Sequence, residues 1–117
     1  MRLNEVVYTD AVPVEGYGPG FFRLGGMVYE GAISVLPTGI ALWDGYADAA
    51  RFVEAADALD VVFVGTGKEI AHIPVDFRTA LEEAGIGVEI MASPAACRTY
   101  NVLLSEGRRV ALALLPV

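Results

Sequence analysis

Thiol and imidazole chemistry are almost missing from this chain, which has one cysteine, Cys97, and one histidine, His72, among 117 residues. A single cysteine excludes an internal disulfide framework and makes a reducing, cytoplasmic setting the simplest expectation. The few other potential ligands show no metal-binding spacing, so neither a metal nor a cofactor is expected. Basic residues are scarce as well: 8 Lys and Arg stand against 15 Asp and Glu, for a net charge of −7. Nucleic-acid binding needs basic surface to displace counterions, so this balance argues against it. Acidity favours solubility and, loosely, basic partners.

Long hydrophobic runs are missing too. Mean hydropathy is high at +0.50, yet the apolar residues come in runs of roughly five to seven, as in Val110–Val117, far from the ~20 of a spanning helix. No membrane insertion is expected. Met1–Asp10 carries Glu5 and Asp10 and has no apolar core of a signal peptide. With 55% hydrophobic and 20% charged residues the composition is the reverse of a disordered chain. The length suits one domain over residues 1–117. Oligomeric state is left open, a homo-oligomer included.

Texture changes along the chain. Up to residue 45, glycines alternate with β-branched and aromatic residues. Gly16-Tyr17-Gly18-Pro19-Gly20 is a breaker cluster. Phe21–Leu24 and Met27–Glu30 read as strands joined by a Gly25-Gly26 turn, and Ala32–Leu36 and Gly39–Trp43 as two more joined at Pro37-Thr38-Gly39. This half is expected to be an antiparallel meander. From Asp48, a natural N-cap, Ala49, Phe52, Val53, Ala56 and Leu59 share one face of a helix. Val61–Val64 is a strand buried on both faces. Pro74 opens a second helix with Phe77, Ala80, Leu81 and Ala84 inward and Gly85 as its stop. Val88–Met91 is a strand, Ser93-Pro94 caps and opens a third helix to about Ser105, and Arg108–Leu115 closes the chain. Strand 61–65, helix 74–84 and strand 87–91 form a parallel βαβ unit. The expected fold is α/β: one mixed sheet with a C-terminal parallel βαβ unit flanked by helices and an N-terminal antiparallel meander.

No chemical motif is complete. Val61–Gly67 (VVFVGTG) has two glycines of a dinucleotide fingerprint, but Ile70 holds the third position and the next helix waits until Pro74. Lys68 lacks the surroundings of a P-loop. The segment reads as a glycine turn at the carboxyl end of a strand, where a small-ligand crevice with Arg98 is the alternative. Cys97 with His72 is the one thiol–imidazole pair on offer. Cys97 lies early in the third helix, where a thiol pKa can fall, yet it shares the apolar face with Ala96, Tyr100, Leu103 and Leu104, as a small core residue would. Trp43 reads as a core anchor, Asp44 as a turn carboxylate, and Glu82-Glu83 as a solvated face. Arg98, Thr99, Asn101 and Glu106 lie off the apolar face of the third helix. They form either a polar brace, tying Glu106 or Asn101 to the strand-end loops, or a recognition surface.

Gly16-Tyr17-Gly18, the GTG of Val61–Gly67, and above all Ala95–Leu103 (AACRTYNVL) followed by Glu106-Gly107-Arg108 resemble a known family. It is the widespread small-domain family that includes mitochondrial respiratory complex I assembly factor 3 and the adipogenesis-associated domain protein. The match runs over almost the whole chain, and AACRTYN…EGR is its specific part. The resemblance implies an α/β domain with a mixed sheet. For the mitochondrial relative it implies assembly of a membrane complex through protein contacts; bacterial members have no established activity. Carried over by position, the recurrent polar residues are Thr66, Arg98, Thr99, Tyr100, Asn101, Glu106 and Arg108, marking a shared surface or brace. No targeting extension is read in this chain, so organelle import is not expected. A non-catalytic interaction or assembly module with protein partners, those of a membrane complex among them, is the leading reading. A small-molecule-binding protein or enzyme at Gly65-Thr66-Gly67 and Arg98 is the alternative.

Overall fold

A computed structural model describes residues 12–117 and the backbone of strand β1 (Glu5–Val7). The signal-peptide reading of Met1–Asp10 falls, apart from that backbone, outside the described residues. In chain order the remaining elements are β2 (Val14–Gly18), β3 (Phe21–Leu24), β4 (Met27–Glu30), β5 (Ile33–Leu36), β6 (Gly39–Leu42), α1 (Ala50–Glu54), β7 (Val61–Thr66), α2 (Val75–Glu83), β8 (Gly87–Met91), α3 (Ser93–Ser105) and β9 (Val110–Leu115).

The mixed α/β architecture follows expectation, with the parallel βαβ unit of β7, α2 and β8 in place. The N-terminal half is antiparallel, but it is divided between two sheets. β2-β3-β4 make a three-stranded antiparallel sheet, while β5 and β6 enter a six-stranded sheet of order β1-β6-β5-β9-β7-β8. The division has a physical cause in the residues. In Phe21–Leu24 the buried Phe22 and Leu24 flank an exposed Arg23, and in Met27–Glu30 only Tyr29 is buried, so each strand has one wet face. Ile33–Leu36 is buried at all four positions and needs cover on both faces, which only the interior of the larger sheet supplies. The switch falls at Gly31, whose φ of 85° is open to glycine at little steric cost and whose N–H donates to the Gly20 carbonyl at 2.9 Å.

β7 and β9 lie side by side in the sheet, and their alternate residues fill different cores. Phe63, Leu112 and Leu114 join Phe22, Tyr29, Ala96, Cys97 and Tyr100 on one side. Val62, Val64, Ala111 and Ala113 join Trp43, Phe52, Phe77 and Leu81 on the other. The layers are therefore α3 with the small sheet, then the large sheet, then α1 with α2.

The first helix departs most from its pattern. The expected cap, Asp48, is not the N-cap; Ala49 is, and the helix lasts five residues before a 3₁₀ turn at Ala56–Ala58. Trp43 explains this: its indole Nε1–H donates to the Asp48 carbonyl at 2.9 Å, and the Asp48 N–H to the Gly45 carbonyl at 2.9 Å. Asp48 is thereby committed to a turn rather than a helix start. α2 ends as the Gly85 signal predicts, and α3 ends in the same way at Gly107. Gly85 (φ 85°) and Gly107 (φ 80°) stand just past the last turns. In both, the next residue's N–H reaches back to the helix, Ile86 to Leu81 O and Arg108 to Leu103 O, each at 3.0 Å.

Candidate functional site

The signature on α3 and the glycine turn after β7 meet, and what joins them is Ser93. Its expected role as N-cap passes to Ala92; Ser93 is the first helical residue and is fully buried. Its Oγ accepts the Gly67 N–H at 2.9 Å and donates to the Leu115 carbonyl at 2.6 Å, while its own N–H donates to the Gly67 carbonyl at 2.8 Å. One side chain thus ties the ends of β7 and β9 to the start of α3. Gly65 makes that approach sterically feasible. A methyl group there would stand 2.8 Å from Ser93 Cα and 2.6 Å from Leu114 Cδ2. Gly67 adopts φ 104°, in the left-handed region. The GTG turn is therefore occupied by the protein's own helix, and the space a ligand would need beside Gly65 is filled by Ser93 and Leu114.

Thr66 closes the following loop. Its Oγ1 accepts the Ala71 N–H at 3.0 Å and lies within donating distance of the carbonyls of Glu69 (2.7 Å) and Met91 (3.2 Å). The helix after this loop begins only at Val75, as the delayed Pro74 signal predicts.

Further along α3, Asn101 holds Val14 from both sides. Its Oδ1 accepts the Val14 N–H and its Nδ2 donates to the Val14 carbonyl, each at 2.8 Å. Tyr100, wholly buried, donates its hydroxyl to the Val12 carbonyl at 2.9 Å, and burial pushes its phenol pKa up. Each such bond contributes on the order of 1 kcal/mol net, and leaving its partner unpaired costs more. Asn101 and Tyr100 fasten the chain entering β2 onto α3, so Asn101 acts as a polar brace. Glu106 takes no part in it; it is the exposed C-cap residue of α3, with Arg108 exposed two positions on.

Arg98 and Thr99 remain on the solvent side. With Val102 and Leu103 they line a shallow depression of about 280 Å³. Arg98 also borders a smaller one of about 190 Å³ between α3 and β2, where Glu15, Tyr17, Cys97 and Asn101 are the other polar or aromatic neighbours. Cys97 is 3% exposed, and burial pushes its thiol up to about 12, with Arg98 only partly offsetting the effect. It behaves as the core residue its neighbours imply. His72 is exposed and lines a different depression with Ile70, Ala71 and Ile90, so the thiol and the imidazole do not share a pocket.

Among the described residues no group of three or more His, Cys, Asp or Glu is placed to hold a metal ion, and no helix is long and apolar enough to cross a membrane. Sequence reasoning missed Ser93 as a three-way tie and Arg109 as a partner. The Arg109 guanidinium pairs with Asp60 at 2.6 Å and donates to the Asp57 carbonyl at 2.8 Å. The hydrogen bond from Arg109 holds the exposed Asp60 carboxyl below its usual range. Arg108-Arg109 ahead of an apolar strand was the available signal for that pair.

Fold and signature together define a small α/β domain in which Thr66, Tyr100 and Asn101 of the motif are bonded to the protein's own backbone, while Arg98, Glu106 and Arg108 are exposed. Comparison with known proteins shows that the chain belongs to the family described as Protein of unknown function (DUF498/DUF598), matched over residues 14–115. An uncharacterised protein of Rhodobacter capsulatus is 42% identical over 117 residues, covering all of this chain and 94% of that protein. NADH dehydrogenase (ubiquinone) 1 alpha subcomplex assembly factor 3 of Danio rerio is 31% identical over 110 residues, 88% of this chain and 63% of that protein. This chain thus spans a little under two thirds of that relative's length. Among solved structures, an outer membrane protein from Bartonella henselae superimposes with a TM-score of 0.84 at 36% identity, over 92% of this chain and 97% of that one. Homology to complex I assembly factors and the α/β fold class are in agreement with the resemblance read from AACRTYN…EGR.

Proposed function

We propose that this chain is a non-catalytic interaction module of assembly-factor type, which holds a protein partner through the solvent side of α3. The carrying observation is the similarity to assembly factor 3 over 88% of the chain. Two features of the fold support the reading. Thr66, Tyr100 and Asn101 are engaged with the protein's own backbone, and Cys97 is shut in the core. Arg98 and Thr99 stand outward beside Val102, which is 56% exposed, so charge, hydroxyl and apolar surface lie together on one face. A helix face of this mixed character suits a partner surface better than an enclosed ligand.

The test is tagged capture from the native cell with quantitative mass spectrometry, comparing the unaltered chain with Arg98→Glu and Val102→Asp. Recovery of respiratory-complex subunits or their assembly partners, reduced several-fold by either substitution, is the expected result. Recovery of no such protein by the unaltered chain would overturn the proposal.

A further inference from the structure

A second feature lies on the opposite face of the large sheet. The turn after β6 and the start of α2 enclose an open pocket of about 430 Å³, bordered by Tyr46, Ala47, Ala49, Pro74, Asp76 and Phe77. Tyr46 is the partly exposed ring of this pocket, and the buried Phe77, Trp43 and Phe52 pack behind it. Tyr46 and Phe77 meet at 5.3 Å between ring centroids, and each lies 5.6 Å from Trp43, with Phe52 a further 6.0 Å from Trp43 and 6.2 Å from Phe77. The Trp43–Asp48 hydrogen bond fixes the loop that carries Tyr46. At the rim is one carboxylate, Asp76 in the first turn of α2, and no basic residue borders the pocket. Asp44 and Asp48 lie in the same loop as Tyr46, and the whole chain carries a charge of −7. The nearby Arg78 is engaged along α2 with Glu82 at 3.2 Å.

The geometry points to a recognition pocket for a guanidinium group, presented by an arginine side chain of a protein partner. A planar cation gains from an aromatic ring and from a carboxylate, which Tyr46 and Asp76 supply at the border of one pocket, and arginine uses both more readily than lysine. An anionic ligand would meet the wrong sign of charge. The inference goes beyond the α3 surface and shares with it only the assumption that a protein supplies the group.

The test uses the full chain and a small probe, so that it can fail or succeed independently of the capture experiment. Ac-Gly-Arg-Gly-NH2 is titrated at low ionic strength against its citrulline counterpart, which keeps the shape and loses the charge. Binding is read from backbone amide NMR shifts and from the fluorescence of Trp43, the single tryptophan. The expected result is saturable shifts at Tyr46, Ala47, Ala49 and Asp76, with the citrulline peptide at least tenfold weaker. Asp76→Asn, an exposed substitution that leaves the core untouched, should weaken the arginine peptide about tenfold. Tyr46→Leu, which retains an apolar wall without a ring face, should weaken it several-fold. Equal response to both peptides, or shifts confined to other surfaces, would overturn the proposal. Tighter binding of free arginine than of the capped peptide would overturn the assignment to a protein partner.

Discussion

Gly65→Ala tests whether the glycine turn is a packing device. In an open strand position the added methyl group would be favourable, because it removes about 0.4–1 kcal/mol of unfolded-chain entropy. At Gly65 the new Cβ would stand 2.6 Å from Leu114 Cδ2, 2.7 Å from Ser93 Oγ and 2.8 Å from Ser93 Cα. Contacts between carbon atoms are most favourable at ~3.5–4.0 Å, so each approach is short by roughly 1 Å. Leu114 can change rotamer in part. Ser93 Oγ can turn away only by losing its bonds to Gly67 and Leu115. Ser93 Cα is backbone, so α3 itself must move, and Asn101 and Tyr100 oppose that movement by holding the same helix to Val14 and Val12.

Overpacking of this kind costs about 1–3 kcal/mol, and a lost buried hydrogen bond adds about 1 kcal/mol. After the entropy gain is set against these, a net loss of about 2 kcal/mol is expected. In urea that lowers the midpoint by roughly 1 M with an unchanged slope, and it lowers Tm by on the order of 10 °C. Gly16→Ala is the matched control, since nothing lies within 4 Å of its Cβ. It should stay within ~0.5 kcal/mol of the parent protein. An unaltered or raised midpoint for Gly65→Ala would refute the packing argument, as would equal losses at both glycines.

Three further outcomes are expected. Asn101→Asp keeps the acceptor for the Val14 N–H but deprives the Val14 carbonyl of its donor, and should cost about 1–3 kcal/mol in chemical denaturation; full stability with this substitution would show that the bracket on β2 is idle. Cys97 should resist iodoacetamide at pH 8 in the native protein and react promptly in urea, because its thiol is buried and pushed up to about 12; native reaction at the rate of a free thiol would contradict its burial. The third outcome concerns Asp60, whose folded pKa lies below the ordinary 3.8 because Arg109 hydrogen-bonds its charged form. Its contribution is therefore present at neutral pH and lost as the pH falls below the usual carboxylate range. Asp60→Asn should therefore cost a little stability at neutral pH and converge with the parent protein in acid, flattening the acid limb slightly, the more so at low salt; a stability difference that persists undiminished in acid would contradict the assignment.

Much of the fold was legible in the residues. Val61–Val64 reads as a doubly buried strand, and both Gly85 and Gly107 end helices with φ near 80°. The family signature was legible as well, although its meaning was not. Periodicity separates Tyr100, on the apolar face of the third helix, from Arg98 and Thr99, but nothing local separates the inward-bonded Asn101 from them. Helical periodicity places Asn101 off the apolar stripe, yet β2 arrives over that side of α3 and takes both of its amide groups. Asp48 carried a good capping signal that Trp43 overrode through a single hydrogen bond.

The sequence by itself determined most of the elements from Phe21 onward, because burial period and turn chemistry are local properties of the chain. It also determined the family. It did not determine β2, a strand whose Gly16-Tyr17-Gly18 lies in the expected breaker cluster, where pairing with β3 and the bonds from Asn101 to Val14 hold the chain extended. Only the tertiary structure decided which sheet each hairpin joins and what the glycine turn holds, because those depend on residues far apart in sequence. Ser93 meets Gly67 across 26 positions, and Asn101 meets Val14 across 87. A local pattern reports that a surface must be covered, while the identity of the cover is set only when distant segments compete for the same space.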